Sequence, residues 1–192
     1  MDDPYTDSEK QLMLRLARET LELSTTARQV PEVDLESLPP SLQQPAACFV
    51  SLHRRDNGAL RGCTGTLVPR RPLALEIVEI TLQTAFNDPR FLPVTASEVP
   101  ELRIEISVLT PPKPLTFDGP DDLVKKLRPG VDGVTLRLAG RRATFLPQVW
   151  HAYPDPELFL SLLSEKMGLG PDAWRDPDIQ VETYEAIVFE EA

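Results

Sequence analysis

The chain has 192 residues, and its 30 acidic side chains outnumber its 20 lysines and arginines, which gives a formal net charge of −10. A chain of this length fits a single domain, or one domain with two lobes, and can bury a sizeable core. Its acidic surface does not attract phosphate backbones, so the composition disfavours nucleic acid as a general partner.

The first predicted elements are a long helix and a hairpin joined by an extended connection. Apolar residues recur at three-to-four spacing over residues 8–25, which indicates an amphipathic helix. Residues 29–45 hold four prolines and no sustained period, which is typical of an extended connection. The strands ACFVSLHR (47–54) and ALRGCTGTL (59–67) then form a β-hairpin, with Asn57-Gly58 supplying the positive φ angles of a tight turn.

The rest of the chain mixes helices with strands that are joined mainly by hairpin signals. That pattern predicts an α+β fold with antiparallel sheets rather than a parallel, doubly wound sheet. The predicted helices cover residues 72–87, 121–127 and 155–167, and Asp88-Pro89 ends the first of them. The predicted strands cover 102–110, 133–138, 142–147 and 179–190, and the second and third form a hairpin around Ala139-Gly140.

The face of the hairpin on which Cys63 lies decides whether its thiol is buried or could react. With a two-residue turn, Cys63 lies opposite Leu52 on the apolar face, where a buried thiol has only a packing role. A β-bulge that adds one residue would move Cys63 to the face of Ser51 and His53, where the thiol could act as a nucleophile beside a base. The sequence leaves both registers open.

Glycines and a charged pair accompany Cys63 as candidate site residues. Gly62 and Gly65 weaken a strand interior, which marks either a bulge or a close approach of another backbone or a ligand. Asp88 and Arg90 follow a predicted helix end, where they form either a local ion pair or part of a functional site.

Two further groups of polar residues are open to two interpretations. Glu105 and Ser107 share the polar face of the strand predicted over 102–110, so they are either solvent-exposed or part of a site. Five arginines lie within 18 residues that contain a single acid, and they form either solvated strand ends or an anion-binding patch: Arg54, Arg55, Arg61, Arg70 and Arg71.

The sequence holds no motif for a metal or a nucleotide. His53 and His151 are the only histidines, and neither has a ligand partner at helical spacing, so we expect no metal site. The glycine fingerprints of nucleotide sites are absent, so the cofactor is unknown.

Cys48 would lie roughly 13 Å along the ribbon from Cys63, too far for a disulfide. Without a signal peptide or an apolar run of about 20 residues, we expect a cytoplasmic protein with no membrane association.

The stretch LRGCTGTL resembles the LRGCxGT motif of the AMMECR domain family. The resemblance continues through AFNDPRFLPVTASEVPELRIEISVLTPP, GVDGVTLRLAGRRATFLPQV and FLSLLSEKMGL, and covers roughly residues 8–190. It implies one α+β domain over residues 1–192, including the segment 1–45, with antiparallel sheets, flanking helices and two subdomains around a cleft. The residues on the family's motifs are then candidates for catalysis (Cys63, Asp88, Glu105) and for ligand binding (Arg61, Gly62, Gly65, Arg90, Ser107).

Within the family, the chain resembles the bacterial form called AmmeMemoRadiSam system protein A, which is encoded beside a Memo-like protein and a radical-SAM protein. This resemblance implies a component of that system, with those two proteins and a small molecule as partners. As an enzyme, it would use Cys63 as nucleophile or ligand, Arg61 and Arg90 as anion anchors, and Asp88 or Glu105 as proton carriers. The alternatives are a non-catalytic adaptor or carrier that binds the partner enzymes, and an RNA-related protein, which the net charge disfavours.

Overall fold

The structure, a computed structural model, describes residues 3–192, and its first helix, α1 (Asp7–Thr26), begins with a reciprocal cap. The Thr6 hydroxyl accepts a hydrogen bond from the Glu9 N–H at 3.3 Å, and the Glu9 carboxylate accepts one from the Thr6 N–H at 2.7 Å. These bonds satisfy backbone groups that a helix start leaves without partners. The helix predicted over residues 8–25 is confirmed.

The described residues form helices and strands in a mixed order along the chain. The remaining helices are α2 (Pro40–Gln43), α3 (Leu73–Phe86), α4 (Pro120–Lys126) and α5 (Pro156–Lys166). The strands are β1 (Ala47–Arg54), β2 (Leu60–Gly65), β3 (Leu102–Leu109), β4 (Lys113–Pro114), β5 (Gly133–Leu138), β6 (Arg141–Phe145), β7 (Gln180–Tyr184) and β8 (Ala186–Glu190). They pair in two four-stranded sheets of order β2-β1-β3-β8 and β4-β7-β5-β6, with antiparallel pairing, which confirms the α+β fold class.

The chain divides into two compact units. Unit 1 comprises Met1–Leu109 and Ile187–Ala192, and unit 2 comprises Thr110–Ala186. The sheet β2-β1-β3-β8 belongs to unit 1, together with α1, α2 and α3, and the sheet β4-β7-β5-β6 belongs to unit 2, together with α4 and α5.

The helices α1 and α3 cover one face of the sheet in unit 1. Val50 and Leu52 of β1 lie on this face beside Ile104 and Ile106 of β3, and all four side chains are fully buried. Burying each of these side chains stabilises the fold by about 1.5–3 kcal/mol. The odd-numbered positions of β1 and β3 therefore lie on the opposite face of the sheet.

Unit 2 packs α5 against its sheet around two tryptophans. Trp150 stacks on Phe159 with 3.7 Å between the ring centroids, and Trp174 is 1% exposed. The β5–β6 hairpin turns at Ala139 and Gly140, whose φ angles are 49° and 75°. Two successive residues with positive φ give a tight two-residue turn, so the hairpin predicted here is confirmed.

The prediction of one strand over residues 179–190 is wrong, because Glu185 interrupts it. The Glu185 carbonyl accepts a hydrogen bond from the Thr110 N–H at 2.9 Å, and the Glu185 N–H donates to the Thr110 hydroxyl at 2.9 Å. Since both backbone groups of Glu185 are satisfied by Thr110, β7 ends before Glu185 and pairs with β5, while β8 joins the other sheet.

Candidate functional site

The turn between β1 and β2 is longer than the sequence predicts. The Arg54 N–H donates to the Ala59 carbonyl at 2.8 Å, and the Gly58 N–H donates to the Arg54 carbonyl at 2.8 Å. Of the two predicted turn residues, only Gly58 has a positive φ, 71°. The two-residue turn is therefore wrong, and a four-residue loop closes the hairpin.

A β-bulge at Arg61 sets the register of the hairpin. His53 pairs with Leu60, whereas Leu52 pairs with Gly62, so Arg61 is the extra residue on β2. Cys63 consequently pairs with Ser51. The register that places Cys63 opposite Leu52 is wrong, and the bulged alternative is confirmed. A residue in a bulge leaves the regular alternation, so one extra residue turns every later side chain of β2 to the other face.

This register gathers several predicted site residues on the sheet face opposite to the helices. Ser51 pairs with Cys63 on one side and with Glu105 on the other. In the next row, Phe49 pairs with Gly65 and with Ser107. Cys63 and Glu105 are half-buried, and Ser107 is 3% exposed. Ser51, which is not among the predicted site residues, lies between the thiol and the carboxylate.

The side chains of Asp88 and Arg90 form hydrogen bonds with the backbone of Cys63 on the outer edge of β2. The Cys63 N–H donates to Asp88 Oδ2 at 2.9 Å, and the Arg90 guanidinium donates to the Cys63 carbonyl at 2.9 Å. Because β2 is an edge strand, these two side chains take the place of a neighbouring strand and satisfy backbone groups that would otherwise be open. Both groups of Cys63 point away from β1, so Cys63 and Ser51 form a non-hydrogen-bonded pair with closely spaced side chains.

The hydrogen bonds of Asp88 make it a positioning residue. Arg90 donates to both carboxylate oxygens of Asp88, at 2.9 Å and 2.7 Å, and its backbone N–H donates at 3.1 Å. These bonds, with that from the Cys63 N–H, hold the pKa of Asp88 well below its usual range despite the burial of its side chain. A carboxylate that is ionised at neutral pH and accepts four hydrogen bonds is poorly suited to carry protons, so the geometry disfavours that predicted role.

Arg61 forms an ion pair with Glu98, which is not among the predicted site residues. The Arg61 guanidinium donates to the two Glu98 carboxylate oxygens at 2.9 Å and 3.2 Å, and to the Leu92 carbonyl at 3.0 Å. Arg61 is 7% exposed, and its hydrogen bonds lower the pKa of Glu98 to about 2. No sequence signal links residues 37 positions apart, so only the fold reveals this pair.

His53 and Glu105 lie side by side on the face of Cys63. The His53 Nε2 atom is 4.0 Å from Glu105 Oε1, and Nδ1 is 3.3 Å from the Gly58 carbonyl oxygen. Among the described residues, nothing forms a hydrogen bond with His53 Nε2, although that atom is buried. A base and a carboxylate therefore share the face with the thiol.

The two glycines beside Cys63 serve packing inside unit 1. A Cβ atom on Gly62 would lie 2.9 Å from the Thr84 carbonyl oxygen, so the missing side chain lets α3 approach β2. A Cβ atom on Gly65 would lie 2.3 Å from the Phe49 ring, which covers the glycine from the neighbouring strand. The predicted close approach is thus made by the protein itself at both positions.

Cys48 is buried, whereas Cys63 is half-buried. Cys48 lies in the core between the sheet and the helices, and burial raises the pKa of its thiol. Both cysteines are free, which agrees with the expectation that they do not bridge. Cys48 is therefore an internal control for any experiment on Cys63.

Four of the five arginines of the predicted patch form ion pairs with acidic side chains, and two of them, Arg54 and Arg61, share Glu98. Arg55 pairs with Glu191 at 3.1 Å, and Arg71 pairs with Glu76 at 3.1 Å.

Within residues 3–192, no group of histidine, cysteine and acidic side chains is arranged to hold a metal ion. The same residues include no helix that is long and apolar enough to cross a membrane.

Comparisons with known proteins agree with the sequence resemblance. The chain is 37% identical over 199 residues to Protein MK0488 of Methanopyrus kandleri, with 100% of this chain and 92% of that protein covered. It is 38% identical over 157 residues to a protein of Methanothermobacter thermautotrophicus, with 81% of each chain covered.

A solved structure and a family model extend these matches. The crystal structure of the uncharacterized protein PH0010 from Pyrococcus horikoshii matches with a TM-score of 0.80 and 34% identity, over 97% of this chain and 93% of that one. The model of the AMMECR1 family matches residues 14–189. The chain therefore belongs to the AMMECR1 family.

Proposed function

We propose that this chain is an enzyme, or a component of one, whose reacting group is the thiol of Cys63, and that it works with a Memo-like protein and a radical-SAM protein. The observation that supports the proposal best is the bulge at Arg61, because it takes the thiol out of the apolar core and gives it polar neighbours. The two partner proteins are inferred from the sequence resemblance.

The neighbours of Cys63 support nucleophilic chemistry. A thiol attacks as a thiolate, so it needs a base that takes its proton. His53 lies two positions after Ser51 on the same face of β1, and Ser51 pairs with Cys63, so the imidazole and the thiol share one face of the hairpin. If the Nδ1–H donates to Gly58, Nε2 keeps a lone pair that can accept the proton.

Glu105 and Asp88 would support this chemistry in different ways. The Glu105 carboxylate, 4.0 Å from His53 Nε2, would give the imidazolium an ion-pair partner after proton transfer. Asp88 accepts a hydrogen bond from the Cys63 N–H, and Arg90 donates one to the Cys63 carbonyl. These two bonds stabilise the edge strand at the residue that carries the thiol. The reaction class is addition of the thiolate to the carbonyl carbon of a small-molecule aldehyde. The carbon–sulfur bond forms as the carbonyl π bond opens, and the proton held by His53 passes to the resulting alkoxide, which leaves the molecule bound to sulfur as a thiohemiacetal.

Thiol labelling tests the reactivity of Cys63 directly. The native protein, its Cys63→Ala variant and its Cys48→Ala variant would be treated with iodoacetamide, and the labelled peptides identified by mass spectrometry. We expect one label on the native protein and on Cys48→Ala, and none on Cys63→Ala. Labelling at the rate of an unfolded peptide or faster, with Cys48 inert, supports the proposal. A Cys63 as inert as Cys48 would reject it.

Product formation tests the role in the combined system. Small-molecule products would be compared in mixtures of a Memo-like protein, a radical-SAM protein and either the native chain or the Cys63→Ala variant. Loss of product at unchanged thermal stability supports a chemical role for the thiol. Full product formation by Cys63→Ala would reject it, and if omission of the chain still abolished product, the adaptor hypothesis would take its place.

A further inference from the structure

We propose that a groove in unit 1, beside the start of β2, binds a small organic monoanion, namely a carboxylate attached to an apolar group. The groove has a volume of about 470 Å³ and lies between the start of β2 and the loop that follows α3. Six of its lining residues carry the inference: Arg54, Arg61, Arg90, Phe91, Leu92 and Glu98. This site goes beyond the proposed function, because the thiol of Cys63 takes no part in it.

The charges in the groove leave one positive charge without a partner. Arg54 and Arg61 share the single carboxylate of Glu98, at 3.5 Å and 2.9 Å. Arg90 is neutralised by Asp88, which lies behind it and is 4% exposed. Three guanidinium groups therefore face two carboxylates, and one bound negative charge would balance them, whereas a phosphate dianion would reverse the sign. In a chain of net charge −10, a local excess of positive charge selects for anions.

Arg61 also retains a hydrogen-bond donor. Its Nη1 is buried and has no hydrogen-bond partner among residues 3–192, whereas its Nε and Nη2 donate to Glu98 and Leu92. A buried, charged donor without a partner is unfavourable, and its charge adds to the positive potential at this end of the groove. The planar fork that matches the two oxygens of a bound carboxylate is that of Arg54, whose side chain is 41% exposed and lies 3.5 Å from Glu98.

Apolar surface lies directly beside these charges. The Phe91 ring centroid is 5.8 Å from the Arg61 guanidinium carbon and 5.5 Å from that of Arg90. Leu92 is 82% exposed, the highest exposure among the large apolar side chains of the described residues. An apolar group next to the carboxylate would cover both side chains, which favours an aryl or alkyl carboxylate over acetate.

A titration with 3-phenylpropionate, followed by amide signals in nuclear magnetic resonance, tests the groove. We expect saturable shifts confined to residues near Arg61 and 90–98. Acetate, which lacks the ring, and 3-phenylpropanol, which lacks the charge, should each bind about tenfold more weakly or worse, as should benzylphosphonate at about pH 9, where it is a dianion. Absence of saturable shifts with phenylpropionate would overturn the proposal, and tighter binding of benzylphosphonate would overturn the choice of a carboxylate.

Matched variants separate this site from the thiol site. Arg54→Gln removes the surplus charge without touching Cys63 and should weaken phenylpropionate binding about tenfold. Arg103→Gln is the control, because Arg103 also forms an ion pair with one carboxylate, Glu190 at 2.9 Å, but lies outside the groove. Cys63→Ala should bind phenylpropionate like the native protein, so the groove can be confirmed even if the thiol proves inert. Equal weakening by Arg54→Gln and Arg103→Gln would contradict the proposal.

Discussion

The backbone of Cys63 is held by the side chain of Asp88, whose Oδ2 atom accepts the Cys63 N–H at 2.9 Å across 25 residues of sequence. The same carboxylate is held by Arg90, which also donates to the Cys63 carbonyl. The ion pair of a buried carboxylate with an exposed guanidinium therefore closes the edge of β2 at Cys63, the residue whose thiol lies on the polar face.

Replacing Asp88 by Asn should destabilise the protein by about 2–4 kcal/mol, because an amide cannot accept from all the donors that surround the carboxylate. The free energy of unfolding from urea titrations at pH 7 measures the loss. Asp122→Asn is the matched control, because Asp122 also pairs with a basic side chain, Lys126 at 2.7 Å, but on an exposed helix surface. We expect little change there. Equal losses in the two variants would contradict the role of Asp88.

The stability that Glu98 contributes should disappear in acid. Its pKa is about 2 in the folded protein, below the ordinary value of about 4.3 in unfolded chains. A lowered pKa means that the contribution is fully present above about pH 4.3 and is lost as the pH falls toward the folded pKa. The difference in unfolding free energy between the native protein and Glu98→Gln should therefore be largest at neutral pH and shrink toward pH 2. A difference that stays constant would show that Glu98 does not act through its charge.

Gly62→Ala should be destabilising by about 1–3 kcal/mol, because its Cβ atom would press on a backbone oxygen that cannot move independently. That oxygen is the Thr84 carbonyl of α3, 2.9 Å away. Gly170→Ala is the control, since nothing lies within 4 Å of its Cβ position, and should be nearly neutral. Thermal denaturation of both variants measures the difference. If Gly62→Ala were as stable as Gly170→Ala, α3 would not pack against β2 as described.

Ser51→Cys should form a disulfide with Cys63 under mild oxidation. The two residues are paired without hydrogen bonds between them, where α-carbons lie about 4.5 Å apart, within the range that disulfides bridge. Peptide mapping would identify the cross-link. Ser107→Cys, on the same face but not paired with Cys63, should stay reduced. A bridge in Ser107→Cys and none in Ser51→Cys would contradict the bulged register.

Local sequence patterns were sufficient for most elements of the fold. The periodicity of residues 8–25 and the proline after Asp88 predicted α1 and the end of α3, because helices depend on neighbouring residues in sequence. Ala139-Gly140 likewise predicted the second hairpin, since its positive φ angles are a local requirement. The family resemblance rested on motifs that can be read directly from the chain.

The tertiary structure decided the points on which the candidate site depends. The break at Glu185 arises from its hydrogen bonds to Thr110, which no local pattern reveals. Likewise, the bulge at Arg61 accompanies an ion pair with Glu98, 37 residues away, and turns Cys63 toward Ser51 instead of Leu52. Alternation along a strand fixes which residues share a face but not which face meets the core, because contacts with distant segments select the register. The sequence by itself determined that LRGCTG forms a strand of an AMMECR1-family protein, and the distant partners Asp88 and Glu98 decided how that strand presents its thiol.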